Sequence, residues 1–195
     1  MPPCSPIQAT QASGRISVDG PASTATQRTR RVAAATSADA ARPVEASSST
    51  AARAALRAAL RERDPAVSPV ETLRRLAHRV VAEQRPYVEF SPVSRRYVEA
   101  VAASESLKAR ARAIRDEVAQ EAAAALAGSV GRGADDPAAQ WAAGLLLAGW
   151  TVAFLQAHRS FAAQRDAAQA RAVFLAFVDK GALGLQAALA GTPYA

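Results

Sequence analysis

The side chains of this 195-residue chain that could ligate a metal, move a proton or attack a carbon are few: His78, His158, Cys4 and a scatter of Asp and Glu. A metal site needs its ligands gathered at helical or loop spacing. Neither histidine has a second histidine or a carboxylate three or four positions away. Nucleophilic and phosphate chemistry announce themselves through CxxC, GxSxG, GxGxxG or Walker patterns, and none occurs. Many carboxylates sit four positions from arginine, as in Arg95 with Glu99 and Arg112 with Asp116, which is the pattern of a solvated helix face and not of an acid and base held apart. The sequence therefore offers no catalytic residue, metal ligand or cofactor motif, and it reads as a non-enzyme.

What stands out instead is a set of aromatics: Tyr87, Phe90, Tyr97, Trp141, Trp150 and Phe154. They either fill a core or frame an apolar cavity between helices, the usual place for a ligand in a bundle. In the second reading Tyr97, Gln140 and Trp141 bring polar tips to a pocket, and Val101, Leu145 and Val152 supply its apolar wall. The matching ligand is a small hydrophobic molecule.

The elements that would position these residues begin abruptly. Residues 1–50 hold many Pro, Ser and Thr, no aromatic residue, and few large apolar ones (Ile7, Ile16, Val18, Val32, Val44). Such a segment buries too little to offset its ordering entropy and is expected to be disordered. Its start lacks the basic residue and apolar run of a secretory signal; its Ser, Thr, Ala and Arg content matches a transit peptide, although the same bias runs through the whole chain. A single cysteine without partners fits a reducing compartment, and the expected location is cytoplasmic. The net charge of +7 is divided between five arginines against three acids in residues 1–50 and nineteen basic against fourteen acidic groups beyond. That spread does not form the clustered cationic face of a DNA reader.

Residues 51–195 are predicted to be an all-α, antiparallel bundle of about five helices. Leu56 and Leu60 recur among strong helix formers in AARAALRAALRERD. Ser68-Pro69 starts the next helix, with Glu71 completing a capping box and Val70, Leu73, Ala77, Val80 and Val81 as its apolar stripe. Ser91-Pro92 and a serine near Ser104 start two more, the second a long helix striped by Leu107, Ala111, Ile114, Val118, Ala122, Ala125 and Leu126. After the Gly128–Gly133 turn, Asp136-Pro137 opens AAQWAAGLLLAGWTVAFLQA, which is free of charge over 20 residues. Its length invites a membrane reading, but its Ala, Gly, Gln140, Thr151 and Gln156 favour a helix buried on two sides, and no membrane partner is assigned.

One side of that helix carries Trp141, Leu145, Ala148, Val152 and Leu155; the other carries Ala143, Leu147, Trp150, Phe154 and Ala157. The last helix, from about Asp166 to Ala190, is two-faced as well. A terminal helix of one subunit has one core to face, so a homodimer is expected. Leu147, Trp150 and Phe154 with Val173, Phe174, Phe177, Gly181 and Leu185 are the expected contact, Gly181 allowing close helix approach.

In order and spacing, SPVETLRRLAHRVV, then SPVSRRYVEAVAASESLKARARAIRDEVAQEAAAALAGSVGRGADDPAAQ, then two hydrophobic helices, residues 51–190 resemble the C-terminal effector-binding and dimerisation domain of the tetracycline-repressor (TetR) family of transcriptional regulators. The stretch VAASESLKARARAIRDEVAQEAAAALA resembles the branch that binds acyl-CoA-like ligands, which includes the mycofactocin-type regulators. The resemblance implies a four-helix dimer contact from the last two helices and an effector pocket framed by the earlier ones. It also implies a helix-turn-helix head, which residues 1–50 do not contain, since they lack an apolar core. DNA is thus a partner only where an intact head is present. The expectation is that residues 1–50 are read from a shifted frame or wrong start, and that another frame upstream of the Ala51 codon encodes the head.

Overall fold

The computed structural model describes residues 49–195; the readings of residues 1–48 as disordered or mis-framed lie outside the described residues. Among the described residues there are six α-helices, against about five expected, and no strand: α1 (residues 49–61), α2 (Pro69–Ala82), α3 (Pro92–Ala103), α4 (Glu105–Ser129), α5 (Pro137–Gln164) and α6 (Ala167–Ala188). A 3₁₀ turn, Pro86–Val88, joins α2 to α3.

Each start from α2 onward is set by one side chain. Ser68 accepts the Glu71 amide, Ser104 the Leu107 amide, Asp136 the amides of Ala138 and Ala139, and Asp166 those of Ala168 and Gln169. These acceptors satisfy donors that have no partner inside the helix. The capping box expected of Glu71 does not form, because its carboxylate is taken by Arg74 and Arg75. The reciprocal box lies at α3, between Ser91 and Ser94. The tight turn between α5 and α6 places Arg165 in the left-handed region (φ 58°), and α5 runs on to Gln164, past the end of its uncharged stretch.

α1 buries Leu56 and Leu60 and is tied to α4 by Arg53, which reaches Glu121 at 2.8 Å and Glu117 at 3.3 Å. Arg63 closes the other end by donating to the carbonyls of Val67 and Ser129. The stripe expected on α2 is buried throughout. On α4 only Ala122, Ala123, Leu126 and Ala127 are buried, so the upper part of its expected stripe stands outside the core. α3, which neighbours α4, buries nothing.

The centre is the antiparallel pair α5 and α6. Its inner surface on α5 is Ala139, Ala142, Ala143, Leu146, Ala153 and Ala157, meeting Ala170, Phe174, Val178, Ala182 and Leu185 of α6 in the core. After α6 the chain turns through Gly191 (φ 81°) and inserts Tyr194, which has no exposed surface. The Tyr194 carbonyl accepts the Val70 amide at 3.3 Å, tying this end to the start of α2.

Candidate functional site

The residues expected to line a pocket do not converge. Tyr97 and Val101 sit on α3, exposed and half-buried. Gln140, Trp141, Leu145 and Val152 are all exposed on α5, Trp141 at 53%. The physical reason is that both faces of α5 are apolar, and packing turned the alanine face inward, where small side chains let α4 and α6 approach closely. The face with tryptophan, leucine and valine was left outside.

The residues expected at a subunit contact divide differently from the expectation. Phe174 and Leu185 belong to the chain's own core and offer nothing to a partner. Leu147, Trp150, Phe154 and Val173 are half-buried, Trp150 and Phe154 against that core. Only Phe177 and Gly181 are exposed. Together with Leu145 they rim a notch of about 20 Å³ where α2 meets α5 and α6, floored by Leu146, Val178 and Ala182. That is space for about one water. A larger, open groove of about 730 Å³ runs between α1 and α2, with Ala51, Ala55 and Ala58 on one side and Arg75, Arg79 and Tyr87 on the other.

Two polar arrangements escaped the sequence reading because their members are far apart in the chain. In the first, Asp179 of α6 accepts from His78 Nε2 at 2.8 Å and from Arg74 at 3.0 Å, and Arg74 also grips Glu71 through two bonds of 2.7 and 3.0 Å. The hydrogen bonds from Arg74 and Arg75 hold the Glu71 carboxyl down at about 2. At Asp179 burial pushes upward, but the bonds from His78 and Arg74 outweigh it and leave the pKa lowered. The network fastens α2 to α6. Among the described residues no group of three His, Cys, Asp or Glu stands close enough to hold a metal ion.

The second is His158. It is 3% exposed, and neither ring nitrogen has a hydrogen-bond partner among the described residues. Its neighbours are rings: Phe154 at 4.4 Å and Phe90 at 5.1 Å between centroids, both edge to face. Phe90 also lies 6.0 Å from Phe154 and 6.2 Å from Phe174, so it sits among the other three. Leaving a buried polar group without a partner costs about 1–3 kcal/mol. Burial alone pushes the imidazole pKa below 6.5, so the ring is neutral.

These shifts fix a pH dependence. His158 takes up a proton more readily when unfolded, so stability is full above 6.5 and falls as the pH drops below it. Glu71 gives the opposite case of a depressed acid, whose contribution is present above 4.5 and is lost as the pH falls from 4.5 to about 2. In urea denaturation against pH, His158→Phe is expected to remove the first slope and Glu71→Gln to weaken the second. An unchanged upper slope in His158→Phe would refute the assignment.

Fold and site together define an all-α bundle whose central helix pair has one uncovered apolar face and one imidazole sealed among rings. No protein-family model, no curated protein and no solved structure matches the chain.

Proposed function

We propose that residues 49–195 are the dimerising, effector-sensing half of a TetR-like transcriptional regulator, a cytoplasmic protein with no catalytic role. The observation that supports this reading is the outward face of α5. Trp141, Leu145, Ala148, Val152 and Leu155 follow one another at intervals of four and three and are all exposed. That spacing is a seam about 21 Å long, suited to knobs-into-holes packing against helices of a second copy. Exposed Phe177 and Leu145 both line the notch, and the open space beyond Gly149, Gly181 and Gly184 would admit a neighbouring helix closely. Glycine inside a helix costs about 1 kcal/mol relative to alanine, a cost that close subunit packing would offset.

In this reading a small hydrophobic effector, of acyl-CoA-like type by the resemblance, shifts the population of α5–α6 arrangements and so the spacing of attached DNA-binding heads. DNA binding belongs to the protein only where such a head accompanies this domain. Sedimentation equilibrium of the full chain is expected to give a dimer, and a medium-chain acyl-CoA is expected to raise the Tm, since a ligand selective for the native state must do so. A monomer in sedimentation would refute the dimerising part. A helical interaction protein without effector is the second reading, favoured by the notch being water-sized; an unmoved Tm with the dimer intact would select it.

A further inference from the structure

We propose that His158 is the recognition group of an internal site for a small aromatic molecule bearing a hydroxyl, and that Phe90 is a plug seated in that site. The proposal rests on the effector-sensing reading but replaces its acyl-CoA-like effector with a small phenol and gives that effector a place. The cage of His158, Phe154 and Phe174 already holds a six-membered ring, that of Phe90, with centroid separations of 5.1 to 6.2 Å. It is therefore shaped for a ring. The phenyl it holds has no polar atom, and among the described residues both imidazole nitrogens go without a partner. A phenol offers the same ring together with a hydroxyl that can donate to the bare imidazole nitrogen or accept from the N–H, satisfying one of the two in either tautomer. The cage walls are the neutral imidazole of His158 and the phenyl rings of Phe154 and Phe174, so a neutral hydroxyl suits the site better than a carboxylate, whose burial would demand a charged partner.

The plug is also the piece best able to leave. Phe90 is carried on the connection between α2 and α3, not on a helix of the core. The helix that follows it, α3, has no buried residue, so the core groups that move with Phe90 are Val88 and the half-buried Tyr87 of the same connection, and an incoming ring fills the space that Phe90 leaves. At the near end of the connection Gln84 holds a left-handed backbone (φ 51°), and its amide and that of Arg85 close α2 on the carbonyls of Val81 and Val80, so the segment that carries Phe90 begins only after this cap. Occupancy would be felt where the sensor needs it. Phe154 belongs to α5 and Phe174 to α6, so a ligand in the cage touches both helices of the proposed subunit contact.

The test uses the full chain with isotope-labelled histidine, titrated with p-cresol and with toluene while the His158 ring resonances are followed. p-Cresol is expected to shift those resonances and to bind about five-fold more tightly than toluene, the ratio one net hydrogen bond supplies. In His158→Phe the two probes should bind alike, and Phe90→Ala should tighten both, because the competing ring is gone. If His158→Phe fails to fold, Phe90→Ala carries the test. Equal affinities in the wild type, or unmoved His158 resonances up to the solubility limit of p-cresol, overturn the proposal. An acyl-CoA that raises the Tm while shifting only residues of the α1–α2 groove overturns this site and leaves the sensor reading intact. A monomeric wild type removes the regulator reading, yet binding at His158 is still read from the same spectra.

Discussion

Phe177→Arg is expected to leave the helical content unchanged and to turn a dimer into a monomer at concentrations where the wild type is fully associated. Phe177 is 39% exposed and stands at the notch with Leu145 and Gly181. On a lone subunit an arginine there keeps its charge in water. In a contact built on α5 and α6 the same charge must be desolvated with no opposite charge to meet it. Truncating a central aromatic of an interface costs about 2–4 kcal/mol, and a buried unpaired charge adds to that, so self-affinity should fall by at least about a hundredfold. Leu183 is the matched control: it lies on the same helix about a third of a turn away, it is 69% exposed, and Leu183→Arg should leave the dimer intact. Two variants with equal effect would count against this face. So would a wild type recovered only with membranes, because α5 is long and apolar enough by length and composition to cross one.

The second large effect concerns Tyr194. Its side chain is completely buried, and its carbonyl holds the Val70 amide at the start of α2. Tyr194→Ala should cost about 3–5 kcal/mol, the range for emptying a buried aromatic position, and lower the Tm by about 10 °C for a domain of this size. Burial pushes the Tyr194 hydroxyl pKa up, and the Asp136 carboxylate nearby adds to the effect. Tyr194→Phe keeps the ring, so it should be far milder than the alanine variant. A cost below about 1 kcal/mol for Tyr194→Ala in urea denaturation would mean that the tail does not close this end of the bundle.

Much of the fold was legible because it is decided locally. Serine or aspartate before an apolar run marks a helix start through one hydrogen bond between neighbours, and Ser68, Ser91, Ser104, Asp136 and Asp166 all act in that way. The stripe on α2 was legible because its opposite side is polar, which leaves only one way to bury it. α5 offers no such contrast. Its two apolar faces differ only in side-chain size, and the choice between them is made by how closely α4 and α6 can approach, which no local pattern records. Hence Trp141, Leu145 and Val152, expected to line a pocket, lie on the surface, while Phe174 and Leu185, expected at a subunit contact, lie in the core. The His158 cage was illegible for another reason: Phe90, His158 and Phe174 come from three separate segments, and spacing along the chain cannot announce a meeting in space.

The alanine surface between α5 and its neighbours has a mechanical consequence. Large side chains lock two helices in register because each knob fits a single hole, whereas a row of alanines is nearly smooth and opposes lengthwise slip only weakly. Registration of the central pair then rests on the few large side chains set among the alanines, Leu146 and Phe161 of α5 with Phe174 and Leu185 of α6, and on its ends, the Arg165 turn at one and the Asp136 cap with Tyr194 at the other. With so few interlocking knobs between its stops, the pair is held in place at a handful of points, and loosening either end should leave the outward seam fixed by those points alone.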